Sequence, residues 1–196
     1  SAKYIDNNPN TTSRTEKIKA IRNLMSQHKI GAYLIPRADR FQGEFISEND
    51  NRLKWLTGFS GSAGLCIVTM KSIALFVDGR YSIQAQMETK DTQIDIKKLE
   101  QQIINNWLKK NTIPFKKIGF DPWLHTLNQI KFLKIGLNDK FKFKKVQNIV
   151  DQLWIDKPKD QNNKIFKLSD KYCGESYLSK LAKINESKNK FKADYI

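Results

Sequence analysis

A chain of 196 residues, 39% apolar and 11% aromatic, is long enough for one sizeable domain and the start of another, and too rich in core-forming side chains to be disordered. Its net charge of +15 comes from 35 basic residues of which six are arginines, a lysine-rich balance that reads as solvated surface rather than as a base-reading one. Two remote cysteines, Cys66 and Cys173, indicate neither a disulfide framework nor a zinc site and suit a reducing, cytoplasmic setting, and no stretch has the unbroken apolar length of a membrane span.

Residues 1–13 are expected to be a flexible polar lead-in without the apolar segment of a secretory signal. "SRTE" at Ser13–Glu16 fits a capping box. Ile18, Ile21, Leu24 and Met25 then recur at helical spacing, with Gly31 as the stop signal. "AYLIP" reads as a short buried strand ended by Pro36, and "RADRFQGEFISEND" as a polar loop leading to a short helix with Leu53 and Leu56 inward. "AGLCIVT" and "SIALFVD", separated by "MKS", predict a hairpin. "VDGRYSIQAQMETK" then converts strand to helix, with Asp78 placed as the helix cap and Tyr81, Ile83, Ala85 and Met87 supplying apolar surface.

Strand, helix and strand patterns then succeed one another in "TQIDIKKL", "EQQIINNWLKK" and "KKIGFD". A helical stripe runs through Leu124, Leu127, Ile130, Leu133 and Leu137, "KFKFKK" alternates like an edge strand, and "NIVDQLW" closes the unit at 14–155. Trp55, Trp107, Trp123 and Trp154 are expected in the core. One hairpin among several strand–helix alternations predicts an α/β fold, a mixed sheet flanked by helices. Residues 156–172 read as a linker. Residues 173–196 read as the first helix and the opening strand of a truncated second, similar domain.

"TGFSGSAG" at 57–64 poses the question of chemistry. It lacks the G-x-S-x-G of a nucleophile elbow, and helix enters where strand should. The two histidines, His28 and His125, sit near helix ends, and no G-x-G-x-x-G or phosphate loop is present. Its glycines read as turn formers. No clustered His and carboxylate pattern points to a metal, and Asp78 and Asp121 read as caps or turn residues. Arg80 stands apart, being one of few arginines and lying beside a glycine at a strand–helix junction.

"YLIPRADRFQGEFI", "RLKWLTGFSGSAG" and "LFVDGRYSIQAQ", in this order and spacing, closely resemble the N-terminal domain of the creatinase/prolidase/aminopeptidase P family, in its three-domain Xaa-Pro aminopeptidase form. "KIGFDPW", "NIVDQLWIDKP" and "YCGESYLSKLAKI" extend the likeness over roughly residues 16–196. The resemblance implies a non-catalytic N-terminal portion of a metal-dependent hydrolase that removes the residue before proline. Two divalent ions, commonly manganese, would belong to a later domain of the parent, so no cofactor, metal ligand or catalytic residue is expected here. It implies a role in subunit contacts and in shaping substrate access, with Asp78, Arg80 and Tyr81 of the "D-G-R-Y" motif as candidates for that surface. The implied partners are a second copy or the catalytic domain, and the parent's peptide substrate. A membrane partner is not expected. Two other readings stay open: a stand-alone binding or oligomerisation module, and a less favoured nucleic-acid binder through Phe141, Phe143 and the lysines.

Overall fold

The computed structural model describes residues 13–90, 92–137, 139–160 and 164–195. The chain divides into two units, 1–160 and 161–196. The first opens with α1 (Arg14–Gln27), where the capping box forms as expected: Ser13 Oγ accepts from the Glu16 N–H and the Glu16 carboxylate accepts from the Ser13 N–H. Ser13→Ala should therefore lower the thermal midpoint, a loss of about 1 kcal/mol, with Ser13→Asp close to wild type.

The helix ends earlier than Gly31. Lys29 takes φ 53°, while the Lys29 and Ile30 N–H groups donate back to the Ser26 and Met25 carbonyls, a Schellman closure sealed by the fully buried Ile30. Gly31 serves another purpose. A Cβ there would lie 2.0 Å from the Phe115 carbonyl oxygen, so close backbone approach is what demands glycine.

Six strands form one sheet: β1 (Ala32–Pro36), β2 (Gly64–Thr69), β3 (Ile73–Val77), β4 (Ile94–Lys98), β5 (Lys117–Phe120) and β6 (Lys142–Lys145), in the order β4-β3-β2-β1-β5-β6. β2 and β3 make the expected hairpin, with Gly64 opposite Val77 and Val68 opposite Ile73. β2 is antiparallel to both neighbours, and the remaining pairings are parallel. All strands but β2 therefore point the same way.

Each face of the sheet buries its own core, as strand alternation requires. Tyr33, Ile35, Cys66, Val68, Leu75 and Val77 pack under α1, α2 (Arg52–Thr57), α3 (Ser82–Glu88) and α6 (Ile149–Leu153). Leu34, Ile67, Phe76, Ile118 and Phe120 pack under α4 (Gln101–Asn111) and α5 (Leu127–Lys134). A buried Tyr33 hydroxyl accepts the Ile149 N–H and so ties α6 to β1.

Three tryptophans behave as expected: Trp107 is buried, and Trp55 and Trp154 pack together at 5.8 Å against the first core. Trp123 does not. It sits on the turn after β5, 73% exposed. The leucine stripe is also not one helix. α5 is confined to Leu127–Lys134 by a Thr126–Gln129 capping box, so Leu124 is buried from the preceding turn while Leu127 faces solvent. α3 likewise buries only Ala85 and leaves Ile83 and Met87 outside.

The second unit contains α7 (Asp170–Cys173), which begins inside the expected linker, and α8 (Tyr177–Lys190), capped by Ser176. Residues 193–195 form no strand, contrary to the reading of "ADYI", since a strand exists only with a hydrogen-bonding partner and no other described segment of this unit is extended against it. Leu178, Leu181 and Ile184 on α8 are all exposed.

Candidate functional site

Because every strand except β2 runs in one direction, the carboxyl ends of β1, β3, β4, β5 and β6 and the amino end of β2 meet at one end of the sheet. That end gathers the loops 37–51, 57–63, 78–81 and 121–126, to which four of the quoted motifs contribute residues. In open α/β sheets it is also where ligands are received.

The "TGFSGSAG" loop is held there by its own polar groups. Gly58 ends α2 in the left-handed region, φ 77°. The Ser60 N–H and hydroxyl both donate to the Glu88 carboxylate, and Gln84 Nε2 donates to Ser60 Oγ at 2.9 Å. Burial would raise the Glu88 carboxyl, but the Ser60 hydrogen bonds and then that of Gln84 hold it below the usual carboxylate range. An ionised glutamate accepting the serine proton as a hydrogen bond anchors the loop to α3; no imidazole is placed to activate the hydroxyl, His28 closing α1 and His125 following β5.

Arg80 and Tyr81 lie on the 3-10 turn Gly79–Tyr81, and Asp78 caps it. Asp78 Oδ1 accepts the Arg80 N–H at 3.0 Å and the Arg80 Nε at 2.9 Å, which lowers the Asp78 pKa, first through the backbone bond and then through the side chain. Arg80 is 76% exposed with its guanidinium 5.6 Å from the Tyr81 ring. Tyr81 packs edge-on against Phe59, and its hydroxyl meets that of Ser62. The turn thus projects a guanidinium into solvent beside two hydroxyls.

A second feature of the same end was not singled out from sequence. A cleft of about 520 Å³ opens between the loops after β1 and β5. Phe41, Phe45 and Trp123 stand exposed around it. Below them Arg52 forks onto Asp151, Nε to Oδ1 at 2.8 Å and Nη2 to Oδ2 at 2.9 Å, while Nη1 reaches Asp50 at 2.8 Å and Lys157 meets Asp151 at 2.9 Å. Burial would raise the Asp151 carboxyl, but the hydrogen bonds of Arg52 and then Lys157 outweigh it and hold it low. The available signal was the scarcity of arginine; Arg52 is one of six.

Two further carboxylates here are engaged too. Asp39 Oδ1 accepts the Phe41 and Gly43 N–H groups, and Asp121 accepts the Trp123 N–H and Asn148 Nδ2. His125 Nδ1 faces the Asp121 carbonyl at 3.0 Å, and burial pushes its pKa down. Asp39 and Asp121 thereby hold the shape of their loops, while His125 Nε2 is buried without a hydrogen-bond partner among the described residues. Among the described residues, no three His, Cys, Asp or Glu side chains are grouped to hold a metal ion, so the residues present do not fit a dinuclear centre.

The sequence profile of the Creatinase/Prolidase N-terminal domain matches residues 17–153. This chain belongs to that family. The creatinase N-terminal-like chain is 34% identical over 192 residues to a probable Xaa-Pro aminopeptidase P of Laccaria bicolor, covering 95% of this chain and 30% of that protein. Against Xaa-Pro aminopeptidase 1 of Dictyostelium discoideum it is 31% identical, covering 92% and 31%. Its fold superposes on the crystal structure of X-prolyl aminopeptidase from Caenorhabditis elegans with a TM-score of 0.73 at 27% identity, over 94% of this chain and 32% of that one. That enzyme is described as cytosolic with a di-nuclear active site. The N-terminal domain of the peptidase PepQ from Mycobacterium tuberculosis shares the fold alone, TM-score 0.54 at 21% identity, over 70% of this chain and 97% of that one. The chain spans about a third of the length of the Xaa-Pro aminopeptidases it matches.

Proposed function

We propose that this creatinase N-terminal-like chain is the non-catalytic N-terminal portion of a cytoplasmic, metal-dependent Xaa-Pro aminopeptidase. The parent would remove the residue before proline using two divalent ions, such as manganese, held in a later domain. The first unit would shape substrate access and take part in subunit contacts, with Asp78, Arg80 and Tyr81 on that surface, and α8 would open a second domain of similar kind. The observation that carries this reading is the match of residues 17–153 to the Creatinase/Prolidase N-terminal domain, together with the chain's likeness to Xaa-Pro aminopeptidases of which it spans about a third.

The test is direct. The purified chain, incubated with an Xaa-Pro peptide with and without Mn²⁺, should release no free amino acid, whereas the product of the extended coding region should do so. Metal-dependent release by this chain alone would defeat the proposal.

A further inference from the structure

Residues 97–145 carry twelve lysines, no arginine and three acidic residues, so nine of the fifteen net positive charges fall in a quarter of the chain. The fold brings much of that charge to one flank. Lys109 on α4 and Ile135 line one shallow groove, and Lys134 on α5 and Lys142 on β6 line a neighbouring one, with Asp139 the single carboxylate among the described lining residues. Lys110, Lys131 and Lys140 are exposed on the same elements and their connections.

Two apolar side chains stand in this basic field: Phe132, 55% exposed, and Ile135, 65% exposed, three positions apart and so neighbours on the helix end. The backbone that carries them is anchored: the Phe132 and Ile135 carbonyls accept from Gln101 Nε2, and Ile135 also accepts from Asn105 Nδ2 at 2.6 Å, so α4 is tied to the end of α5.

We propose that this flank, centred on Phe132 and Ile135, docks on an anionic phospholipid surface. Lysine ammoniums suit headgroup phosphates and carboxylates as hydrated point charges, with no fork geometry to satisfy. The two apolar side chains supply the shallow interfacial insertion that a purely electrostatic patch lacks. Nucleic acid fits less well. Phe141 and Phe143, the rings available for base stacking, are half-buried, with Lys116 at 5.9 Å and Lys134 at 5.6 Å over their faces. The earlier expectation of no membrane partner rested on the lack of a spanning segment. No helix among the described residues is long and apolar enough to cross a membrane, and peripheral docking needs none.

The chain is sedimented with vesicles of phosphatidylcholine alone, or of phosphatidylcholine with phosphatidylserine, at low and near-physiological salt, beside a titration of labelled single-stranded DNA. It should sediment with the serine-containing vesicles only, and less at higher salt. Lys131→Gln with Lys134→Gln should weaken this binding by about thirty-fold, and Phe132→Ser with Ile135→Ser by about tenfold, thermal midpoints being unchanged. Phe132→Ser alone repeats the test should the double variant misfold. Equal sedimentation with both vesicles, none at low salt, or binding indifferent to Phe132 and Ile135 and matched by the DNA would overturn the proposal.

Discussion

Phe76→Ala is expected to destabilise the first unit by about 3–5 kcal/mol, the range for truncating a fully buried aromatic. Phe76 is wholly inaccessible on the interior strand β3, and its ring meets Trp107 of α4 edge-on at 5.8 Å. Truncation removes both the transfer of the ring from water and its aromatic partner, and the sheet cannot collapse into the gap because β2 and β4 hold β3 from either side. Against a typical domain stability of about 5–15 kcal/mol this is a large fraction. Urea unfolding should show a lower midpoint with an unchanged slope. A truncation at the exposed Phe132 should move the midpoint little, and similar effects at the two sites would refute the assignment of the core.

Arg52→Ala is expected to cost about 3 kcal/mol, at the lower end for a broken buried pair because Asp151 keeps a third of its surface in water. The Arg52 side chain is 8% exposed and joins the start of α2 to α6 through a two-pronged contact. Removing it leaves Asp151 with Lys157 alone. Arg52→Lys should recover only part of the loss, since an ammonium cannot engage both carboxylate oxygens in that geometry. The pH dependence has a definite sign. The Asp151 pKa is depressed in the fold, so its contribution is complete above the ordinary carboxylate value of about 4 and fades as pH falls through the lower folded value. The stability gap between wild type and Arg52→Ala should therefore narrow in acid. A gap that stays constant or widens there would show that the ion pair is not its source.

Local chemistry made much of this fold readable. The Ser13–Glu16 box, the apolar runs of β1 to β3 and the short "MKS" turn each carry their signal within a few residues. Asp78 announced a capping role by position, though it caps the 3-10 turn Gly79–Tyr81 and the helix proper starts after Tyr81. The failures share a cause. Arg52 and Asp151 lie ninety-nine positions apart, and nothing in either neighbourhood names the other. Gly31 looked like a helix stop because its true constraint, the Phe115 carbonyl, comes from a distant segment. The leucines from 124 to 137 have helical spacing, yet the Thr126 cap cuts the helix short and sends Leu124 inward from a turn. Trp123 reads as core by composition and stands instead on the rim of the cleft. The cleft itself is formed by loops that meet only because β1 and β5 are neighbours, a fact of strand order that no local pattern encodes.

That strand order also governs how the polypeptide must be made. β1 pairs on one side with β2, which follows soon after it, and on the other with β5, whose residues emerge much later in synthesis. Until Lys117–Phe120 leave the ribosome, one flank of a strand built almost wholly from interior side chains presents open N–H and C=O groups to whatever is nearby. The finished sheet ends instead on β4 and β6, each carrying exposed lysines that discourage further strand addition, so the unpaired flank of β1 is an exposure confined to the growing chain.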